Sequence, residues 1–170
     1  MWRLTKGCPG LDLNSPYSYL LLCRHFSDTC LVAEADEALK GFVTGYLPPG
    51  RPDTIFVWQV AVAPDSRRLG LGRRLVDALL DRALRAGVPF LEATVTPSNE
   101  ASRRLFRAVA RDRGADYQES KFFDPEHFPD DGTDPDPHEP ELLIRLGPMV
   151  VEALDTESYQ QRSPAHESDQ

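Results

Sequence analysis

Residues 56–75 constrain the fold of this 170-residue chain more than any other stretch. An apolar run ends at Val62, a Pro-Asp turn follows, and apolar residues at helical spacing begin at Leu71. This order predicts a strand, a short loop and a helix in immediate succession. Two glycines near the helix start, Gly70 and Gly72, let a ligand approach the backbone closely. Exposed amides at that helix start, together with the helix dipole, favour a ligand that carries phosphates.

The glycine spacing decides which phosphate ligand is expected. A dinucleotide fold needs a third glycine where Leu75 stands, and a P-loop needs a Gly-Lys-Ser/Thr tripeptide that the chain lacks. The pattern Arg67-x-x-Gly70-x-Gly72, placed after a strand, resembles the acetyl-CoA signature of the GCN5-related N-acetyltransferases. The alternative without a ligand is a tight turn with a solvated arginine fringe. If the loop binds phosphates, we expect four side chains to surround that site with positive charge: Arg67, Arg68, Arg73 and Arg74.

Composition limits the class of protein. A net charge of -8 disfavours non-specific nucleic-acid binding, although arginines crowd residues 67–113 and acidic residues crowd 124–141. The three cysteines have neither metal-ligand spacing nor an even count, so we expect reduced thiols, no metal and a cytoplasmic location. No signal peptide is visible, and no apolar run approaches the roughly 20 residues that span a bilayer. No membrane association is therefore expected.

Apolar periodicity and turn residues predict an α/β (α+β) domain over residues 1–146. A polar, disordered tail is expected over 147–170, and an acidic, proline-rich loop before the last strand. The predicted strands are Cys30–Ala35, Leu39–Leu47, Thr54–Val62, Phe90–Thr96, Ala115–Phe123 and Glu141–Leu146. The predicted helices are Tyr17–Phe26, a helix from Leu71 that ends at Gly87, and one that starts at Thr96–Glu100 and runs to about Arg113.

The acetyltransferase resemblance implies a mixed central sheet of about six strands, helices on both faces and a splayed strand pair at the acetyl-CoA site. The family's usual first edge strand is missing, because residues 1–4 already resemble its first helix. The family's usual proton-donating tyrosine is replaced by Phe106, which leaves another group or water to protonate the thiolate. Asn99 matches an asparagine that contacts the cofactor arm, with a plain helix cap as the alternative. The implied cofactor-binding residues are Val60, Ala61 and Val62 for the pantetheine arm, Arg68, Leu69, Gly70, Leu71, Gly72 and Arg73 for the pyrophosphate, and Arg67 and Asn99 beside them.

Several separated segments resemble one branch of that family more closely. They are residues 11–23, 56–62 and 92–102, together with His138-x-x-Glu141 in front of the last strand. This branch acetylates the 4-amino group of L-2,4-diaminobutyrate in ectoine biosynthesis. The resemblance therefore implies a small-molecule amine substrate. It also implies a homodimer, because members of this family are commonly dimers.

The same resemblance implies a substrate pocket formed by Asp12, Tyr17, Trp58, His138 and Glu141. Glu141 is the candidate for orienting and deprotonating the amine, and His138 is the alternative proton relay. Each residue also has an ordinary structural interpretation. In that interpretation Asp12 caps a turn, Tyr17 and Trp58 pack in a core, and His138 and Glu141 lie on a solvated surface.

Two other functions stay open at this point. The chain is also suited to acetylating a different amine, such as a polyamine, an aminoglycoside or a protein N-terminus. The missing tyrosine at Phe106 leaves room for a degenerate domain that binds CoA and regulates a partner. A panel of amines separates these possibilities.

Overall fold

Four helices and six strands make up the part of the chain that the structure, a computed structural model, describes: residues 1–8, 10–128 and 138–150. The helices are α1 (Trp2–Lys6), α2 (Pro16–His25), α3 (Leu71–Arg85) and α4 (Glu100–Asp112). The strands are β1 (Cys30–Ala35), β2 (Ala38–Tyr46), β3 (Thr54–Val62), β4 (Phe90–Val95), β5 (Tyr117–Phe123) and β6 (Glu141–Leu146). The six predicted strands are therefore confirmed, and the first described element is a helix, as expected.

Sheet pairing leaves an opening in the middle of the molecule. The strand order is β1-β2-β3-β4-β6-β5, and every pairing is antiparallel except the one between β3 and β4. That parallel pair runs only from Thr54–Phe90 to Val57–Ala93. Beyond Val57 the strands have no paired residues among those described, so the rest of β3 separates from β4. The splayed pair expected from the resemblance is present.

A β-bulge marks the same place on the other edge of β3. Thr44 pairs with Gln59 and Gly45 pairs with Val57, so Trp58 has no partner on β2. The extra residue breaks the two-residue alternation of side chains. Consequently the side chains of Ile55, Val57 and Val60 pack into the core on one face of the sheet. The side chain of Ala61 packs into the core on the other face.

Two apolar cores cover the two faces of the sheet. The larger lies under α3 and α4, where Val76, Leu80 and Val109 are completely buried against the strands. The smaller lies under α1 and α2, where Tyr19 and Leu22 pack with Phe42 and Ala61. Helices therefore lie on both faces, as expected.

Local signals explain where the helices begin. Ser15 caps α2 by accepting a hydrogen bond from the Ser18 amide at 3.3 Å, and Pro16 occupies the first turn. Gly70, with φ of 72°, turns the chain into α3 through a left-handed conformation. Within the described residues, no helix has the length and apolarity of a membrane span. The tail expected to be disordered from residue 147 lies outside the described residues from 151 on.

Candidate active site

A cavity of about 530 Å³ follows the open edge of β3 and the starts of α3 and α4. We call it the loop cavity. Its lining includes Val60, Ala61, Val62, Arg67, Gly72, Thr96, Ser98, Asn99, Ser102 and Leu105, with Cys8, Gly10, Leu11 and Ala101. The splayed strands and the predicted phosphate loop thus meet in one site, which is long and polar enough for an extended ligand.

The start of α3 presents unpaired amides to this cavity. The Arg74 amide donates to the Gly70 carbonyl at 3.0 Å, which closes the first helical turn. Amides before that position have no carbonyl within the helix to bond, so they are suited to an anion. A Cβ added at Gly72 would stand in van der Waals contact with a Val62 methyl, at 3.5 Å. The glycine therefore leaves this space of the cavity open. Arg68 has a positive φ of 62°, which bends the loop just before Gly70.

The arginines of the loop divide between different tasks. Arg67 lines the loop cavity, and its Nε donates to the Val62 carbonyl at 3.3 Å. Arg73 instead forms ion pairs with Asp77 at 2.6 Å and Asp112 at 2.9 Å, joining α3 to α4. Arg74 lines a separate cavity beside β1. The expected ring of four cations is therefore reduced, since Arg73 and Arg74 direct their charges elsewhere; for Arg73 the backbone amide is what remains for an anion.

The start of α4 forms the opposite wall. Asn99 Oδ1 accepts from the Ser102 amide at 3.1 Å, so the capping interpretation of Asn99 is correct. Its side chain also lines the loop cavity, which leaves the cofactor role open. Glu139 accepts from the Ser98 amide at 3.1 Å and from the Ser98 hydroxyl, and so ties the segment before β6 to this wall.

A second cavity, of about 480 Å³, lies along β3 and β4 close to the point where the two strands separate. We call it the aromatic cavity. Along β3, Trp58 lines the aromatic cavity and Val60 the loop cavity. Thr94 of β4 likewise lines the aromatic cavity, and Thr96, just after β4, lines the loop cavity. The aromatic cavity is lined by Leu22, Phe26, Tyr46, Pro48, Arg51, Phe56, Trp58, Thr94, Phe122 and Phe123. The two cavities therefore follow consecutive parts of the same two chain segments.

Glu141 begins β6 and contacts Thr94, which lines the aromatic cavity, although Glu141 itself is not among the described residues that line either cavity. It is half-buried, and burial raises the pKa of its carboxyl, an effect that contact with Thr94 and the charge of His138 oppose. The negative charges of Asp12 and Glu139 raise this pKa further. One carboxylate oxygen, Oε2, is buried without a hydrogen-bond donor among the described residues. The interpretation of Glu141 as a solvated surface carboxylate is therefore not supported.

His138 lies beside Glu141 in a fixed orientation. Its ring stacks on Phe128, with centroids 3.7 Å apart and planes within 12°. Its Nδ1 lies 2.6 Å from the Glu139 carbonyl oxygen, which can only accept a hydrogen bond. The proton of the neutral ring is thus held on Nδ1, which leaves Nε2 able to accept one. Most of the acidic loop before it, residues 129–137, lies outside the described residues.

Three further predicted substrate residues lie on the α2 side. Tyr17 and Trp58 have 66% and 42% of their surface exposed, so neither is a core aromatic. Asp12 is exposed, and its backbone carbonyl accepts a hydrogen bond from Gln59 Nε2 at 2.8 Å. Gln59 Oε1 in turn lies 3.1 Å from the Tyr19 hydroxyl. A buried amide of β3 therefore holds the segment that carries Asp12.

The site roles of three residues were not predicted from the sequence: Gln59, Tyr19 and Glu139. The available signal for Gln59 was an amide inside an apolar strand, where it must find internal partners. Glu139 had no such signal, because its partner Ser98 lies 41 positions away in the chain. Phe106 is 3% exposed and belongs to the main core, and α4 presents Ser102 and Leu105 to the loop cavity instead. Among the described residues that line the loop cavity there is no tyrosine.

Comparison with known proteins agrees with this geometry. The model of the acetyltransferase (GNAT) family matches residues 1–110. The L-2,4-diaminobutyric acid acetyltransferase of Marinococcus halophilus is 47% identical over 150 residues, which cover 88% of this chain and 84% of that protein. The enzyme of the same name from Nocardia farcinica is 49% identical over 152 residues, covering 89% and 76%.

Solved structures give the same result. The diaminobutyrate acetyltransferase EctA of Paenibacillus lautus, determined with L-2,4-diaminobutyric acid and coenzyme A, superposes with a TM-score of 0.80. It is 41% identical in sequence, with 86% of each chain covered. Naa20 of Chaetomium thermophilum, at 18% identity and a TM-score of 0.68, shares the fold. This chain therefore belongs to the GNAT acetyltransferase family, and within it to the family of the L-2,4-diaminobutyric acid acetyltransferases.

Proposed function

We propose that this protein transfers the acetyl group of acetyl-CoA to the 4-amino group of L-2,4-diaminobutyrate. The product would be N4-acetyl-L-2,4-diaminobutyrate, a precursor in ectoine biosynthesis and thus in osmoadaptation. The observation that carries the proposal is Glu141, whose buried Oε2 has no donor among the described residues and whose carboxyl contacts Thr94 of the aromatic cavity. An amine bound there would supply the missing donor and would lie next to the open edge of β3.

The loop cavity fits acetyl-CoA. Its amides at the start of α3 suit a pyrophosphate, and Arg67 adds positive charge. The absence of a side chain at Gly72 leaves room for that group. The open edge of Val60–Val62 suits the amide groups of the pantetheine arm. Bound there, the cosubstrate supplies an acetyl thioester that an amine can attack. These residues, together with Asn99, are the ones we assign to its binding.

The protein's main chemical task is to produce a neutral amine. An alkyl ammonium has a pKa near 10.4, so deprotonation at neutral pH costs roughly 4–5 kcal/mol. Because burial raises the pKa of Glu141, this carboxylate is a better proton acceptor than an ordinary glutamate. We assign the onward transfer of this proton to His138, whose neutral ring keeps Nε2 as an acceptor. Asp12, Tyr17 and Trp58 complete the proposed substrate pocket.

The bulge in β3 has a proposed role as well. By breaking the alternation at Trp58, it changes the direction of the following backbone groups, including the amide of Val60, which lines the loop cavity. An amide directed at the thioester oxygen would stabilise the negative charge that develops during attack. Since Phe106 is buried in the core, we assign protonation of the departing thiolate to water or to a hydroxyl of the loop cavity.

We further propose that the protein acts as a cytoplasmic homodimer. The described cysteines, Cys8, Cys23 and Cys30, are all free thiols, which supports a reducing compartment. An exposed apolar face on α2 supports self-association, since Leu20 and Leu21 have 65% and 36% of their surface exposed. Cell fractionation would test the location.

A panel of amines tests the proposed reaction. Release of free CoA is measured with L-2,4-diaminobutyrate, lysine, putrescine and an N-terminal peptide as acceptors at equal concentrations. We expect kcat/KM to be highest for diaminobutyrate, and the product to carry its acetyl group on N4 by NMR. A value no higher than that for lysine or putrescine would refute the substrate. Binding of CoA without turnover of any amine would support the regulatory alternative.

A further inference from the structure

The aromatic cavity contains one charged side chain among its described lining residues, Arg51. Arg51 precedes β3, and its side chain is 44% exposed. The rest of the lining is apolar or aromatic apart from the hydroxyls of Tyr46 and Thr94. Among the described lining residues, Arg51 is therefore the one positive charge that this cavity presents to a ligand.

A buried carboxylate holds Arg51 in place without using up its charge. Glu92 is 1% exposed, and its Oε1 accepts from Arg51 Nη1 at 2.6 Å. The same oxygen accepts from Arg145 Nη1. Two guanidiniums thus share one carboxylate, which leaves one positive charge in excess. Each arginine reaches Glu92 through a single nitrogen, so the other donors of its planar group stay available.

The excess charge is presented to the aromatic cavity by Arg51 and not by Arg145. Arg145 is packed over the Phe90 ring at 4.1 Å from its centroid and does not line that cavity. Arg51 does line it, and Glu92 fixes its distance from the site. Glu92 and Thr94 are two residues apart on β4, about 7 Å along the strand. Thr94 is the side chain that contacts Glu141.

We propose that Arg51 binds the carboxylate of the amino-acid acceptor, opposite the end at which Glu141 receives the reacting amine. This inference rests on the proposed function and adds the group that determines specificity. A guanidinium with free donors matches a carboxylate in geometry and charge. Arg51 therefore favours binding of an acceptor that carries both an amine and a carboxylate a few bonds apart. A plain diamine cannot make this contact.

The experiment compares two acceptors in two variants. 1,3-Diaminopropane is diaminobutyrate without its carboxylate, so the ratio of the two kcat/KM values isolates recognition of that group. In Arg51→Met we expect kcat/KM for diaminobutyrate to fall by about 10- to 100-fold, the range for a lost charge-assisted hydrogen bond. The value for 1,3-diaminopropane should stay within the error of the wild type. The loss for diaminobutyrate should appear mainly as a higher KM.

Arg145→Met is the matched control, because it removes the other partner of Glu92. If Arg51 acts only by stabilising the buried carboxylate, both variants will lower Tm and neither will change the ratio. That result, or an equal loss for both acceptors in Arg51→Met, would overturn the inference. Wild-type protein that fails to acetylate diaminobutyrate at all would refute the proposed function instead. A reduced preference confined to Arg51→Met supports the assignment.

Discussion

At the scale of single residues, the site is built around a carboxylate that the fold does not satisfy. Glu141 is half-buried and keeps one oxygen without a described donor, although the same environment includes the charge of His138. A buried acceptor without a donor destabilises the folded protein unless a ligand supplies the donor. The proposed substrate brings an ammonium group that does so. The raised pKa and the missing partner are thus two consequences of one placement.

The substitution Glu141→Gln tests this placement. It keeps the shape but removes the proton acceptor, so we expect kcat for diaminobutyrate to fall about 100- to 10,000-fold. The affinity for acetyl-CoA, measured by calorimetry, should not change. Glu126→Gln is the control, since Glu126 is an exposed carboxylate of the same acidic region. Equal losses in kcat and in acetyl-CoA affinity would indicate a structural role.

The same variant has a predicted effect on stability. Because the folded-state pKa of Glu141 lies above the unfolded value, the native state binds more protons between those two values. The wild-type protein therefore loses stability as pH rises through that window, whereas the glutamine variant does not titrate. We expect the variant to have the higher Tm near neutral pH and no advantage below pH of about 4. A higher wild-type Tm at neutral pH would contradict the burial argument.

At the scale of elements, β3 shows how far sequence analysis reaches. Its bounds, Thr54–Val62, were predicted correctly because β-branched and aromatic residues fill it and turn residues flank it. Its bulge at Trp58 was not predicted, because two-residue alternation inside an apolar run carries no clear signal. The exposure of Trp58 follows from the partner strands, which the pattern does not reveal. The residue pattern therefore located β3, whereas its pairing with β2 determined which of its side chains are exposed.

Parts of the site were predictable from the sequence only where their residues are close together in the chain. The loop from Arg67 to Gly72 was recognisable because its ligand groups are consecutive. The Arg51–Glu92–Arg145 cluster was not, since its members come from three separate segments. The tie between Glu139 and Ser98 was missed for the same reason. Local motifs can be read from sequence, and contacts across the sheet need the register of its strands.

Two glycines at the start of α3 give an element-scale prediction. We expect Gly72→Asp and Gly70→Asp each to abolish acetyl-CoA binding, because a carboxylate would oppose the pyrophosphate sterically and electrostatically. Gly70→Asp should also lower stability by about 1–3 kcal/mol, since φ at Gly70 is 72°. Calorimetry with acetyl-CoA and thermal unfolding measure the two effects separately.

Gly114 supplies the matched control for this pair. It follows α4 with φ of 60°, and like Gly70 it has open space where a Cβ would stand. Gly114→Asp should therefore lower stability by a similar amount and leave acetyl-CoA affinity unchanged. Unchanged affinity in Gly70→Asp and Gly72→Asp would refute the assignment of the pyrophosphate site.

At the scale of the whole molecule, the two faces of the sheet have different tasks. The face under α3 and α4 holds the large core and the ion pairs of Arg73 and Arg113 with the carboxylates of α3 and α4. The face under α1 and α2 holds the small core and opens into the aromatic cavity. Stability is thus concentrated on one side, and the other side is left for the substrate and for association.

The exposed face of α2 leads to the prediction at this scale. Light scattering after size exclusion should give about twice the chain mass of 19.0 kDa. Leu20, at 65% exposure, should be central to the interface, so Leu20→Glu is expected to yield monomers because it would bury an unpaired charge. Val32→Glu on β1, at 54% exposure, is the control and should remain dimeric. If Val32→Glu dissociates the dimer and Leu20→Glu does not, the interface lies at the edge of the sheet, and the apolar face of α2 must serve another partner.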